Sequence, residues 1–126
     1  MTNGIGHMTK SLVRGMIMLE PLFESEIKEK ILLYLYTNGE SYPREIASTF
    51  EFYVNAVQNQ LLNLESAGVL YSKLKGKVRL FGINPRYPFK KELEALLEKV
   101  LIFIPEKDKK KYYIKRLRPR RTKKPF

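Results

Sequence analysis

Four carboxamides and a cluster of cations carry most of the chemistry this chain offers. Asn55, Gln58, Asn59 and Asn63 recur at intervals of one, three and four. On a helix, positions 55, 59, 62, 63 and 66 fall opposite an apolar stripe of Val57, Leu61 and Leu64. A carboxamide presents one donor and one acceptor, the pair that complements an adenine edge. A plain solvated helix face is the simpler use of the same residues. Asn55 and Gln58 also have capping-box spacing, which would occupy Asn55 at a helix start. Lys73, Lys75, Lys77 and Arg79 place four cations within seven residues around Gly76. Such a cluster suits phosphate oxygens, and edge-strand lysines that deter aggregation are the plainer alternative.

Little else in the chain is chemically equipped. There is no cysteine, and the single histidine, His7, lies in a Gly-rich stretch without a partner. No Ser/His/acid set, metal-ligand cluster or Gly-rich phosphate loop occurs, so we expect no enzyme, no metal and no cofactor. The charge is uneven: Glu106 to Phe126 holds 11 Lys/Arg and two acids, whereas the preceding 105 residues carry a net charge of only +2. A polycationic tail of this kind accumulates on polyanions by releasing their counterions. The alternative is a solvated tail that aids solubility, although Tyr112, Tyr113 and Ile114 interrupt its cations and can pack or stack.

The elements that must position these groups are legible from periodicity. Ser25 can cap a helix over about 25–37, with Ile27, Ile31, Tyr34 and Leu35 on one stripe and Gly39 beyond its end. Pro43 suits the first position of a short second helix, about 43–50, that buries Ile46, Ala47 and Phe50. A third helix follows over about 55–67 and closes at Gly68. Val69–Leu74 and Val78–Ile83 read as a hairpin turning at Gly76. A fourth helix, about 89–103, carries Leu93, Leu96, Leu97, Val100, Leu101 and Ile104, and Pro105 is expected to end the ordered pattern. Residues 1–23 form an amino-terminal arm in this reading, with residues 1–8 a cloning remnant, 24–104 one domain, and 105–126 a basic tail. The order helix, helix, helix, hairpin, helix predicts an α+β, mainly α fold, a winged helix-turn-helix.

Tyr42-Pro43-Arg44-Glu45-Ile46-Ala47, Ala56-Val57-Gln58 and Leu61, and Leu64-Glu65-Ser66-Ala67-Gly68-Val69-Leu70 together resemble the winged-helix modules of arsenic-repressor-like regulators. The likeness spans about residues 24–101 and is closest to the branch found alone or beside small nucleotidyltransferases, where an Asn-Pro step such as Asn84-Pro85 also follows the hairpin. It implies that Tyr53, Asn55, Asn59 and Asn63 face DNA, with Arg44 and Gln58 beside them and Lys73, Lys75, Lys77 and Arg79 on the wing. Glu51 departs from the pattern, standing where such turns usually place glycine. The third helix also lacks Lys and Arg, and Leu62 takes a usually polar or basic position.

The expectation is a cytoplasmic regulator of transcription bound to double-stranded DNA. Helix 55–67 would enter the major groove, with hairpin 69–83 and the tail residues Arg116, Arg118, Arg120 and Arg121 on the phosphate backbone. Leu93, Leu97, Val100 and Leu101 make a stripe wide enough for a homodimer seam, with core packing nearly as good an account. Two other readings stay open. One is a non-specific nucleic-acid binder driven by the tail. The other is a winged-helix module that docks a protein partner, with Leu62 as its outward support.

Overall fold

The computed structural model describes residues 25–113. The fold is α+β and mainly helical, with five helices and one two-stranded antiparallel sheet among the described residues. This composition is compatible with a winged-helix-like layout.

Helix α1 (Glu26–Asn38) starts at Ser25, whose extended backbone and side chain cap it; Oγ accepts the Lys28 N–H at 3.1 Å. The expected stripe understates its burial. Leu32 and Leu33 are as buried as Ile31 and Leu35, and Glu29 and Lys30 are buried too. The physical reason is position: α1 packs against other elements on several sides and is the central helix of the core. Gly39 ends it at φ +94°, with its N–H on the Leu35 carbonyl at 2.8 Å.

Helix α2 (Pro43–Phe50) begins at Pro43 as expected and buries Ile46 and Ala47. Just before it, Ser41 pairs with Phe81: its N–H donates to the Phe81 carbonyl at 3.1 Å and its carbonyl accepts the Phe81 N–H at 2.8 Å. This bridge adds a one-residue third partner to the sheet. Glu51 closes α2 in the left-handed region, at φ 61° and ψ 43°, while the Phe52 N–H reaches the Ala47 carbonyl at 2.9 Å. The turn therefore keeps the glycine-type geometry with glutamate in it.

Helix α3 (Val54–Ser66) starts two residues earlier than the capping-box spacing predicts. Tyr53 is the N-cap, no side chain caps the helix, and Asn55 lies within its first turn. Val54 draws the start forward because it packs against the core. Val57, Leu61 and Leu64 are buried as expected. Gly68, at φ +84°, closes the helix: its N–H and that of Val69 return to the Glu65 and Leu64 carbonyls. That return bond holds Val69 out of the sheet, so strand β1 runs Leu70–Lys75 and pairs with β2 (Val78–Ile83). The register joins Leu70 to Ile83 and Lys75 to Val78, leaving Gly76 and Lys77 as a two-residue turn. Gly76 has φ +67° and Lys77 does not have positive φ, the sign pattern of a type II′ turn.

Helix α4 (Lys90–Phe103) crosses back over α1, and the Tyr36 hydroxyl donates to Glu98 Oε1 at 2.6 Å between them. The expectation that order ends at Pro105 is corrected. Pro105 is the N-cap of a further helix, α5 (Glu106–Tyr112), with Glu106 and Asp108 in its first turn and Lys109 to Lys111 in its last. That polarity suits the helix dipole. Tyr113, only 3% exposed, belongs to the same core as α1, nine residues past the expected domain end at 104. No helix among the described residues is long and apolar enough to cross a membrane.

Candidate nucleic-acid interface

Helix α3 turns an uncharged face outward. Asn55, Gln58, Asn59, Asn63 and Ser66 are exposed, and Leu62, 44% exposed, lies among them. At 100° per residue these six positions cover a stripe of roughly 140°, opposite Val57, Leu61 and Leu64. The only charge on α3 is Glu65, at the edge of this stripe and half-buried. Tyr53 stands at the start of the helix, 87% exposed, and Arg44 is exposed on α2. The structure thus brings together on one side the α3 residues that the sequence grouped.

The hairpin cations divide. Alternation along a strand sets Tyr71, Lys73 and Lys75 on one face and Leu70, Ser72 and Leu74 on the other. The register adds Arg79, opposite Leu74, to the second face. The four cations therefore form no single-sided cluster. Two of them are already held within the chain. Lys73 Nζ lies 3.1 Å from Glu40 Oε2, and the Tyr71 hydroxyl donates to the same carboxylate. The hydrogen bond from Tyr71, assisted by Lys73, holds the Glu40 carboxyl below its ordinary range, while burial and Glu40 push the Tyr71 phenol up to about 12. Gly82 faces Tyr71 across the strands and leaves room for its ring; a Cβ there would lie 2.6 Å from the hydroxyl.

On the other face, Arg79 Nη1 donates to Ser72 Oγ at 2.9 Å, and Ser72 Oγ donates to Glu65 Oε2 at 2.6 Å. This chain of two hydrogen bonds ties the hairpin to the end of α3 and aims Arg79 at that helix. Lys75 and Lys77, at the tip, are exposed and form no ion pair among the described residues. The links through Glu40, Glu65 and Ser72 have no signature in the sequence, because the partners lie up to 33 residues apart.

An aromatic cluster holds the end of α5 against the core. Phe50 stacks on Phe52 at 5.8 Å and on Tyr112 at 5.0 Å between centroids, and it meets Tyr34 edge-on and Tyr113 tilted. Lys30 Nζ lies 5.8 Å from the Phe50 ring centre. Burial first, then the nearby Glu29 charge, pushes the Tyr113 phenol far above its ordinary value. Tyr113, the last described residue, thus lies in the core beside the α2–α3 turn. Arg116, Arg118, Arg120 and Arg121 lie outside the described residues.

The expected dimer seam is corrected in part. Leu97 is 0% and Val100 5% exposed within a single chain, so neither offers surface to a second copy. Leu93 and Leu101 are half-buried against the same core. The wide stripe is consumed by packing because α1 beneath it is itself apolar on that side. The large apolar side chains that α4 does expose are Ile102 and Phe103. Among the described residues no group of His, Cys, Asp or Glu is arranged to hold a metal ion.

No protein-family model matches the chain, and a search of curated proteins finds no match either.

Proposed function

We propose that this chain is a winged helix-turn-helix regulator of transcription that binds double-stranded DNA, with α3 in the major groove and the hairpin as its wing. One observation carries the reading. A helix with a continuous outward row of hydrogen-bonding side chains, Asn55, Gln58, Asn59 and Asn63, stands beside a hairpin tipped by Lys75 and Lys77. Carboxamides read base edges, and lysines at a projecting tip neutralise flanking phosphates. Arg79, aimed towards α3, and Arg44 on α2 suit backbone contacts on either side. The resemblance to arsenic-repressor-like regulators supports the same assignment. A homodimer presenting two copies of α3 about one helical turn apart would read a two-part site. Ile102 and Phe103, rather than Leu97 and Val100, are the apolar groups it would use.

The test is to incubate the full chain with sheared genomic DNA at near-physiological salt, recover the bound fragments and sequence them. A shared motif with two half-sites is the expected result. Uniform recovery would overturn base reading and favour the second reading, non-specific nucleic-acid binding through the tail. That alternative draws on the absence of any cation from α3 beside seven Lys/Arg in residues 115–124.

A further inference from the structure

We infer that the α3 face is built for A·T base pairs, and that Leu62 reads the thymine methyl group at their centre; this rests on the DNA-binding reading above. The inference begins with what the face lacks. The commonest major-groove contact is a cation on the two acceptors of guanine, and α3 has no Lys or Arg at any of its 13 positions. It also exposes no carboxylate in that row, so the group that would accept from the cytosine amine is missing too: Glu65 is half-buried and accepts from Ser72 at 2.6 Å.

What the face has is matched to the other pair. Asn55, Gln58, Asn59 and Asn63 each offer the acceptor and donor that adenine N6 and N7 require. Leu62 follows Gln58 and Asn59 by four and three residues, so its side chain lies against theirs on the helix surface. It is 44% exposed among the described residues, the most open large apolar side chain on α3. An exposed leucine inside a row of carboxamides leaves apolar area in water. Thymine is the base that presents a methyl group in the major groove, on the same pair whose partner presents the adenine edge. One helix face therefore holds complements to both halves of an A·T pair and none to the charge-assisted contacts of G·C. From residue 55 to 63 the helix rises about 12 Å, enough to face three or four base pairs.

The experiment selects binders from a pool of random-sequence duplexes with the full chain, then resynthesises the winning duplex with deoxyuridine for thymidine at each core position. Uracil keeps the hydrogen-bonding edge and loses only the methyl. We expect an A·T core, and for the wild type about threefold to fivefold weaker binding at the uracil that meets Leu62. Leu62→Ala, a surface change that leaves the core intact, should bind thymine and uracil duplexes within about 1.5-fold of each other. A G·C core, or a methyl effect that survives in Leu62→Ala, would overturn the inference while leaving DNA reading intact. Selection that yields no motif would overturn the DNA reading, and the inference with it.

Discussion

Lys73, Lys75 and Lys77 sit within five residues of one another, yet the structure predicts that they respond differently to salt. Lys73 is held by Glu40 at 3.1 Å, so its charge is largely answered inside the chain. Lys75 and Lys77 form no close ion pair among the described residues, although Lys75 acts on Glu40 at longer range. Each phosphate neutralised contributes about 0.9 to the slope of log affinity against log salt on duplex DNA. Removing Lys75 or Lys77 should therefore lower the slope by about 0.9 each, and removing Lys73 by roughly a third of that or less. Between 50 and 200 mM salt, a 0.9 change corresponds to about 3.5-fold in affinity, well within the resolution of fluorescence anisotropy. The assay is a titration of a labelled duplex by wild type and by Lys73→Ala, Lys75→Ala and Lys77→Ala across that range. Equal slope losses for all three lysines would refute the division drawn from the Glu40 pair. No loss for Lys75 or Lys77 would remove the hairpin tip from the interface.

Other consequences concern the frame that holds the site. Tyr113→Ala empties a core position and should lower stability by about 3 kcal/mol in a denaturant titration, whereas Tyr113→Phe should cost far less. Because the folded state raises the Tyr113 phenol above its unfolded value, the native state holds the proton longer, and stability should fall as pH rises above about 10. The slope contributed by Tyr113 is at most about 1.4 kcal/mol per pH unit, and Tyr113→Phe should flatten that alkaline limb. Gly82→Ala drives a Cβ into the Tyr71 ring and should disrupt its bond to Glu40 at a cost of about 1 kcal/mol. Tyr71→Phe should cost a similar amount, and the double variant less than the sum, as a thermodynamic cycle would show. Glu51→Gly relieves a left-handed glutamate and should raise stability by about 0.5 kcal/mol, the relief exceeding the entropy that glycine adds to the unfolded chain.

The elements whose residues agree locally were readable from the chain. Ser25, Pro43, Gly39, Gly68 and Gly76 each mark a helix boundary or turn by a backbone preference that needs no distant partner, and the structure uses all five that way. The outward row on α3 was equally legible, since period alone separates it from Val57, Leu61 and Leu64. The failures share a cause. Asn55 was a plausible cap by spacing, but a tertiary contact by Val54 moved the helix start. Pro105 looked terminal because the following residues are charged. What orders α5 is the contact of Tyr112 and Tyr113 with Phe50, more than 60 residues earlier. The stripe of α4 looked surplus because the sequence does not reveal how much of α1 lies bare beneath it. Neither the Glu40–Tyr71–Lys73 cluster nor the Arg79–Ser72–Glu65 chain is local, and only the fold assembles them.

The central claim is that the outward face of α3 reads bases, and Asn59→Ala tests it most directly. Asn59 is exposed on that row, so its loss should leave the fold unchanged. Affinity should be measured for the selected duplex and for a scrambled duplex of equal length, at one salt concentration. The account predicts a loss of about fivefold or more on the selected duplex, with the scrambled duplex bound as before. Equal losses on both, or none on either, would contradict it.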